Sequence, residues 1–260
     1  MNTQKFLSEI YKGCDAGFVT ITALPSRKTQ WFKVDEIEKI AKFAESMGQK
    51  TNVFFGVGLR NKVLKNGLRG SEKDISCITT LYADIDVKGD AHAQQSLPGT
   101  IDESVNFLNN LKIKPSIVVR SGNGIHSYWL LDKPFKISNA DDREFIACLF
   151  KNFGKYINLE AKKRGWKLDN VYDLARILRV PGSINHKLKN GVKCEVVESN
   201  LQRYSLEEFS QDLHCNDMGS TISKIAQGVE KVVDNCEFIK KVLYQKTLIM
   251  VEIILLSISC

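Results

Sequence analysis

At 260 residues, with 43% hydrophobic and 26% charged side chains, the chain has the make-up of a globular protein able to bury a core, and not that of a disordered or fibrous one. Its formal net charge of +7 favours an anionic partner. The seven cysteines include no Cys-x-x-Cys pair, which fits a reducing cytosol, argues against a disulfide framework and matches no familiar zinc-ligand spacing.

The N-terminal stretch MNTQKFLSEIYKG lacks the basic-then-apolar layout of a secretory signal, so a cytoplasmic location is expected. Residues 3–12 predict a short helix. Phe18–Leu24 alternates as a strand does and is ended by Pro25. Val34–Met47 carries apolar residues at helical spacing, with Asp35 and Glu36 at its start and Gly48 after its end. Asn52–Leu59 reads as a strand whose glycines allow close backbone approach. It leads into a basic stretch with Arg60, Lys62, Lys65, Arg69 and Lys73, which is either a solvated loop or a loop that contacts phosphates.

Leu81–Val87 reads as a buried strand interrupted by Asp84 and Asp86. Side chains two apart on a strand share a face, so these carboxylates stand about 7 Å apart on one side. Two carboxylates that close in apolar surroundings need a shared proton, basic partners or a divalent cation. Carboxylate oxygens are hard ligands and suit Mg²⁺ or Mn²⁺. The competing reading is a pair of hydrated carboxylates at a strand end.

Downstream, Thr100-Ile-Asp-Glu103 is a capping box opening a helix over 101–111. Pro115–Arg120 predicts a strand that runs into Ser121-Gly122-Asn123-Gly124-Ile125-His126, and Ser127–Leu131 predicts its hairpin partner. Glycines let backbone N–H groups approach an anion, while a serine hydroxyl and an imidazole add donors. A plain hairpin turn with a surface histidine explains the same residues. Helical patterning covers 140–157 and a basic segment 156–166. The third motif region spans Asp169–Lys187. There Asp173 is either the N-cap of a short helix bearing Arg176 and Arg179, or a third metal carboxylate beside phosphate-binding Arg179 and Lys187. Val192–Val197 predicts a strand, and Ser205–Glu208 caps a further helix. A soft boundary near 215 divides a domain over 1–215 from a helical extension over 216–260. The apolar Thr247–Cys260 falls short of the roughly 20 residues a membrane helix needs, so no membrane association is expected.

In order and spacing, Asp84-x-Asp86, Ser121-Gly122-x-Gly124-x-His126 and Asp173 followed by Arg179-x-Pro181-Gly182-Ser183-x-Asn185-x-Lys187 resemble the archaeo-eukaryotic primase superfamily. The likeness is to its primase-polymerase branch, in particular RepB-like plasmid primases and CRISPR-associated primase-polymerases. The resemblance covers about residues 54–197. It implies an α+β fold, in which a mainly antiparallel, RRM-like sheet carrying Asp84 and Asp86 is packed beside an N-terminal α/β unit. It implies that Asp84, Asp86 and Asp173 hold Mg²⁺ or Mn²⁺. Ser121, Gly122, Asn123, Gly124 and His126 would bind the triphosphate of a nucleotide, with Arg179, Lys187 and Arg60 as further phosphate contacts. The implied activity is template-directed nucleotidyl transfer by a DNA primase-polymerase. The implied partners are single-stranded DNA, nucleoside triphosphates and a helicase or CRISPR adaptation proteins. No zinc-binding element is evident and the accessory module is short, so primer initiation is expected to be weakened relative to extension. A non-catalytic, single-stranded-DNA-binding replication initiator is the alternative. A metal-dependent glycosyltransferase would leave the second and third motifs unexplained.

Overall fold

In the computed structural model, which describes residues 1–89, 96–169, 172–187 and 190–212, helix α1 (Thr3–Ile10) opens the chain. The Asn2 side chain caps it by accepting from the Lys5 amide. Strands β1 (Phe18–Leu24) and β2 (Thr29–Lys33) form a hairpin, followed by α2 (Ile37–Gly48), β3 (Asn52–Gly56) and the two-residue β4 (Leu59–Arg60). Strand β5 (Ile75–Asp86) ends in the two predicted carboxylates. Thr100 caps α3 (Ile101–Asn109) by accepting from the Glu103 amide, and Glu103 reaches back to the Gly99 amide. Strands β6 (Ile117–Arg120) and β7 (Gly124–Lys136) make the expected hairpin, although β7 runs well past the predicted Leu131. Both segments read as helical after Ala140 belong to one helix, α4 (Ala140–Lys162), capped by Asn139.

The third motif departs from the short-helix reading. Residues 177–179 form strand β8 (Ile177–Arg179), antiparallel to β3 with Arg179 opposite Phe54. Leu178 and Val180 are buried against the core, and Pro181 disfavours helical backbone in the residue before it. The free edge of β3 therefore captures a segment with helical spacing. Short strands β9 (Ile184–Asn185) and β10 (Val192–Lys193) pair with each other; β11 (Glu195–Ser199), β12 (Arg203–Tyr204) and α5 (Leu206–Asp212) follow. Ser205 and Glu208 cap α5 reciprocally. The predicted extension over 216–260, with the apolar Thr247–Cys260, lies outside the described residues.

Ten strands share one sheet in the order β11-β6-β7-β5-β4-β1-β3-β8, with β2 added on β1 and β12 on β7. The pairs are antiparallel except β12 with β7, which is the mainly antiparallel α+β arrangement expected. Short as it is, β4 joins the N-terminal unit edge-on to the rest, because Arg60 lies opposite both Phe18 of β1 and Ile75 of β5.

Helices cover the two faces. Phe6 of α1 packs edge-on against Phe55 and Tyr128 at 5.4 and 5.3 Å, while Phe153 of α4 meets Trp129 at 4.8 Å. Tyr128 and Trp129 are consecutive on β7 and point to opposite faces, so α1 and α4 lie on opposite sides of the sheet. All of these rings are fully buried, each contributing about 1.5–3 kcal/mol by its removal from water. Among the described residues no helix is long and apolar enough to cross a membrane.

Candidate active site

Register places the first two motifs side by side. Asp84 of β5 lies directly opposite His126 of β7, and Asp86 opposite Gly124. Directly opposed residues of an antiparallel pair share a face. His126 Nε2 accordingly sits 3.5 Å from Asp84 Oδ1. Burial holds the imidazole down at about 4, against the opposing pull of the Asp84 carboxylate, so the ring is neutral at pH 7. Its Nδ1 is buried without a hydrogen-bond partner among the described residues.

The turn between β6 and β7 is built by its glycines. Gly122 takes φ +115°, at the position where a two-residue hairpin turn calls for glycine, and a Cβ there would collide with the Asn185 side chain. At Gly124 a Cβ would strike the Ile85 carbonyl of β5. The glycines thus allow backbone and side chains of this protein to pack closely, a role the sequence reading assigned to an approaching anion. The Ser121 amide donates to the Gly124 carbonyl, and the Val87 amide to Asn123. Asn185 Nδ2 donates to the Ser121 carbonyl at 2.9 Å, and Asn185 Oδ1 accepts from the Lys187 amide. Asn185 thereby ties the turn to the segment that carries Lys187.

The third motif closes the site from across the sheet. The Arg179 guanidinium lies over the Phe54 ring at 4.7 Å, and its Nη1 donates to Asn52 Oδ1 at 2.7 Å. Burial lowers the pKa of Arg179. Arg176, expected beside Arg179 if the segment were a short helix, pairs with Asp84 through Nη2 and Oδ2 at 3.2 Å. Both oxygens of Asp84 therefore face protein groups, Arg176 on one and His126 on the other.

These residues border one cleft of about 600 Å³. Asp84, Asp86, Ser121, Asn123, His126, Arg179 and Lys187 line it, as do Arg176 and Asp169, which the sequence reading missed. Asp173 is absent from its lining. The Tyr82 hydroxyl donates to the Asp173 carbonyl at 2.7 Å and accepts from the Asp173 amide at 2.9 Å, fixing the backbone of Asp173 beside β5. Burial pushes the Asp173 carboxyl up, with Arg176 opposing. Arg60 lies elsewhere. It is fully buried, donates to the Gly58 and Arg69 carbonyls, and burial lowers it to about 10. It is not among the residues that line the cleft.

Two carboxylates on one strand face, at the mouth of a cleft carrying three cationic side chains, suit a hard divalent cation and a polyphosphate together. Among the described residues, no three His, Cys, Asp or Glu side chains are grouped to hold a metal ion. Asp84 and Asp86 fit such an ion as a pair.

No family model matches the chain. It is 24% identical over 211 residues to a replication protein of Clostridium perfringens, a match covering 80% of this chain but 46% of that one, so the chain spans about half the length of its curated relative. Among solved structures, the AEP domain of the cyanophage S-2L primase-polymerase superposes with a TM-score of 0.55 at 15% identity, over 82% of this chain and 96% of that domain. Primase RepB′ superposes with a TM-score of 0.50 at 11% identity, over 89% of this chain and 67% of that one. The RepB′ catalytic domain in complex with initiator DNA gives 0.50 at 10% identity, over 87% and 98%. The chain has the archaeo-eukaryotic primase fold shared by the primase-polymerases and the RepB-type primases.

Proposed function

We propose that this chain is a template-directed nucleotidyltransferase, a DNA primase-polymerase that makes and extends primers on single-stranded DNA from nucleoside triphosphates. The observation that carries this reading is the register that sets Asp84 opposite His126 in a cleft also lined by Ser121, Arg179 and Lys187. Likeness in fold to a primase bound to initiator DNA supports DNA as the partner of this cleft.

Asp84 and Asp86 would hold the divalent cation as a pair, and Asp169 and Asp173 are the candidates for a third carboxylate drawn in with it. Asp173, which the motif singles out, stands with its backbone against β5, and Asp169 borders the cleft itself. The chemistry that Mg²⁺ or Mn²⁺ would supply there is neutralisation of phosphate charge and a lower pKa for an attacking hydroxyl. The residues of this chain do the positioning. The Ser121 hydroxyl and the neutral His126 ring offer hydrogen bonds to phosphate oxygens, and Arg179 and Lys187 offset the charge that builds as pyrophosphate leaves. Because Arg179 is stacked on Phe54 and bonded to Asn52, its guanidinium is oriented before any ligand arrives. Residues up to about 215 form the catalytic domain, and 216–260 an extension of it.

The test is incorporation of labelled nucleotides on single-stranded DNA with Mg²⁺ or Mn²⁺, with and without a primer. The wild-type chain yields short products unprimed or extends a supplied primer, and the Asp84→Ala/Asp86→Ala variant yields neither. DNA binding by the wild type without incorporation under either metal would replace this reading with a non-catalytic initiator. Mn²⁺ titration of Asp169→Asn and Asp173→Asn identifies the third carboxylate as the one whose loss weakens binding.

A further inference from the structure

A second, smaller cavity of about 250 Å³ lies away from the cleft, where the connection after α1 meets the start of β5. Two thiols share it. Cys14 Sγ and Cys77 Sγ are 4.0 Å apart, though 63 positions apart in sequence. Cys77 is nearly buried on β5, held between Leu59 of β4 and Lys136 of β7, and Cys14 is half-buried. Lys136 and Asp15 line the rim and pair at 3.3 Å.

We propose that Cys14 and Cys77 are a dithiol site that closes to a disulfide by exchange with a low-molecular-weight disulfide bearing carboxylates, of the glutathione class. A disulfide requires the sulfurs to approach to about 2 Å, a movement of roughly 2 Å from where they stand. Cys77 sits in a paired strand, so Cys14 supplies that movement. It lies in a connection between Gly13 and Gly17, both at positive φ, which gives the backbone around it more freedom than β5 has.

The two sulfurs have different roles. The hydrogen bond from Cys77 lowers the pKa of Cys14, with burial opposing; the same contact and burial raise Cys77. Cys14 is thus the more exposed thiol and the one that ionises first, and the nucleophile in exchange is the thiolate. Having lost its proton to solvent, Cys14 attacks one sulfur of the external disulfide, forming a mixed disulfide and expelling one small thiolate. The Cys77 thiol then gives up its proton and attacks Cys14 Sγ, expelling the second. Two protein thiols are oxidised to one disulfide, and one external disulfide is reduced to two thiols. Lys136, the cation at the rim, meets the carboxylates of the incoming molecule by exchanging its pairing with Asp15 for them.

Other cysteines provide internal controls. Cys148 is similarly half-exposed but has no second thiol beside it among the described residues. The whole chain is equilibrated with oxidised and reduced glutathione at several ratios, quenched by alkylation and mapped by mass spectrometry without reduction. The expected product is a peptide linking Cys14 to Cys77, formed at ratios where Cys148 remains alkylated, with a rise of several degrees in Tm from the constrained unfolded chain. Cys77→Ser is expected to trap glutathione on Cys14, while Cys14→Ser leaves Cys77 unmodified. Circular dichroism of both variants, and of Cys77→Ala, verifies folding. The proposal is overturned if Cys14 and Cys77 are alkylated as fully as Cys148 at every ratio, or if either pairs instead with another cysteine. Glutathione accumulating on Cys77 in Cys14→Ser as fast as on Cys14 in Cys77→Ser would overturn the assignment of roles.

Discussion

The loop over 61–74 and the turn over 121–124 both combine glycine with polar or basic side chains, yet the protein holds them in opposite ways. The loop is fastened by its own polar groups and by contacts with its surroundings. Asp74 accepts from the amide and hydroxyl of Ser71, the Leu68 carbonyl accepts from Trp31, and Arg60 just before it turns inward to the Gly58 and Arg69 carbonyls. The turn is fastened by strand register on two sides and by Asn185 from a third, and it leaves Ser121, Asn123 and His126 on the cleft. Net charge therefore does not locate a phosphate site in this fold. The proposed phosphate site rests instead on the opposition of a donor-bearing turn to a carboxylate-bearing strand.

The largest effect that tests this contrast is chemical. Removing the carboxylates opposite the turn, Asp84→Ala/Asp86→Ala, is expected to cut nucleotide incorporation by at least ~10³-fold with little loss of fold, measured by product yield and circular dichroism. A comparable loss from Arg60→Met, with the fold intact, would erase the distinction between the two regions. The next effect is steric. Gly124→Ala is expected to cost about 3 kcal/mol in denaturant unfolding, because the new methyl meets the β5 backbone at the Ile85 carbonyl and at Asp86 Cα. Gly67→Ala in the loop, at φ +65° with no atom nearer than 3.7 Å to the added Cβ, is expected to cost only about 1 kcal/mol for its left-handed backbone. Equal costs would show that the turn is no more constrained than the loop.

Arg60→Met itself is expected to lower stability by about 1–2 kcal/mol through two carbonyls losing their donor, while nucleotide affinity stays within about twofold. The smallest effect is acid-dependent. Hydrogen bonding to the Ser71 amide holds Asp74 below its ordinary 3.8, so the folded state favours the carboxylate. That contribution is complete above pH 3.8 and is lost as pH falls through the lower folded value. An NMR titration is expected to show the Ser71 amide shifting below pH 3.8. A Ser71 shift centred above that value would mean that the carboxylate is not held by the loop.

Much of this was readable from residue order. Alternation and β-branched residues marked β1 and β5, capping residues marked α3 and α5, and glycine spacing marked the β6–β7 hairpin. What escaped depended on partners remote in sequence. Arg176 and Arg179 are three apart, which suggested one helical face; the edge of β3 pairs with Ile177–Arg179 instead, so Arg176, just before that strand, reaches Asp84 and Arg179 stacks on Phe54. Asp173 carried the expected motif spacing, but nothing local announces that Tyr82 will anchor its backbone. Asp169 had no motif signal, and its place on the cleft follows from the path of the chain after α4. Arg60 showed the same limit in reverse: a basic residue after a strand reads as surface, and only the sheet buries it.

The long reach of these contacts sets when the site can exist during synthesis. The Thr3 hydroxyl donates to the carbonyl of Pro181, 178 positions later, and Asp84 meets Arg176 across 92 positions. A nascent chain emerges N-terminus first at about 5–20 residues per second. Strand β5 and its two carboxylates therefore leave the ribosome before the residues that neutralise Asp84 have been made. The first helix likewise waits for the Pro181 turn before its Thr3 hydroxyl finds that acceptor. The site is complete only late, when the third motif clears the exit tunnel. A ribosome stalled before that point would display a sheet whose Asp84 edge is still open.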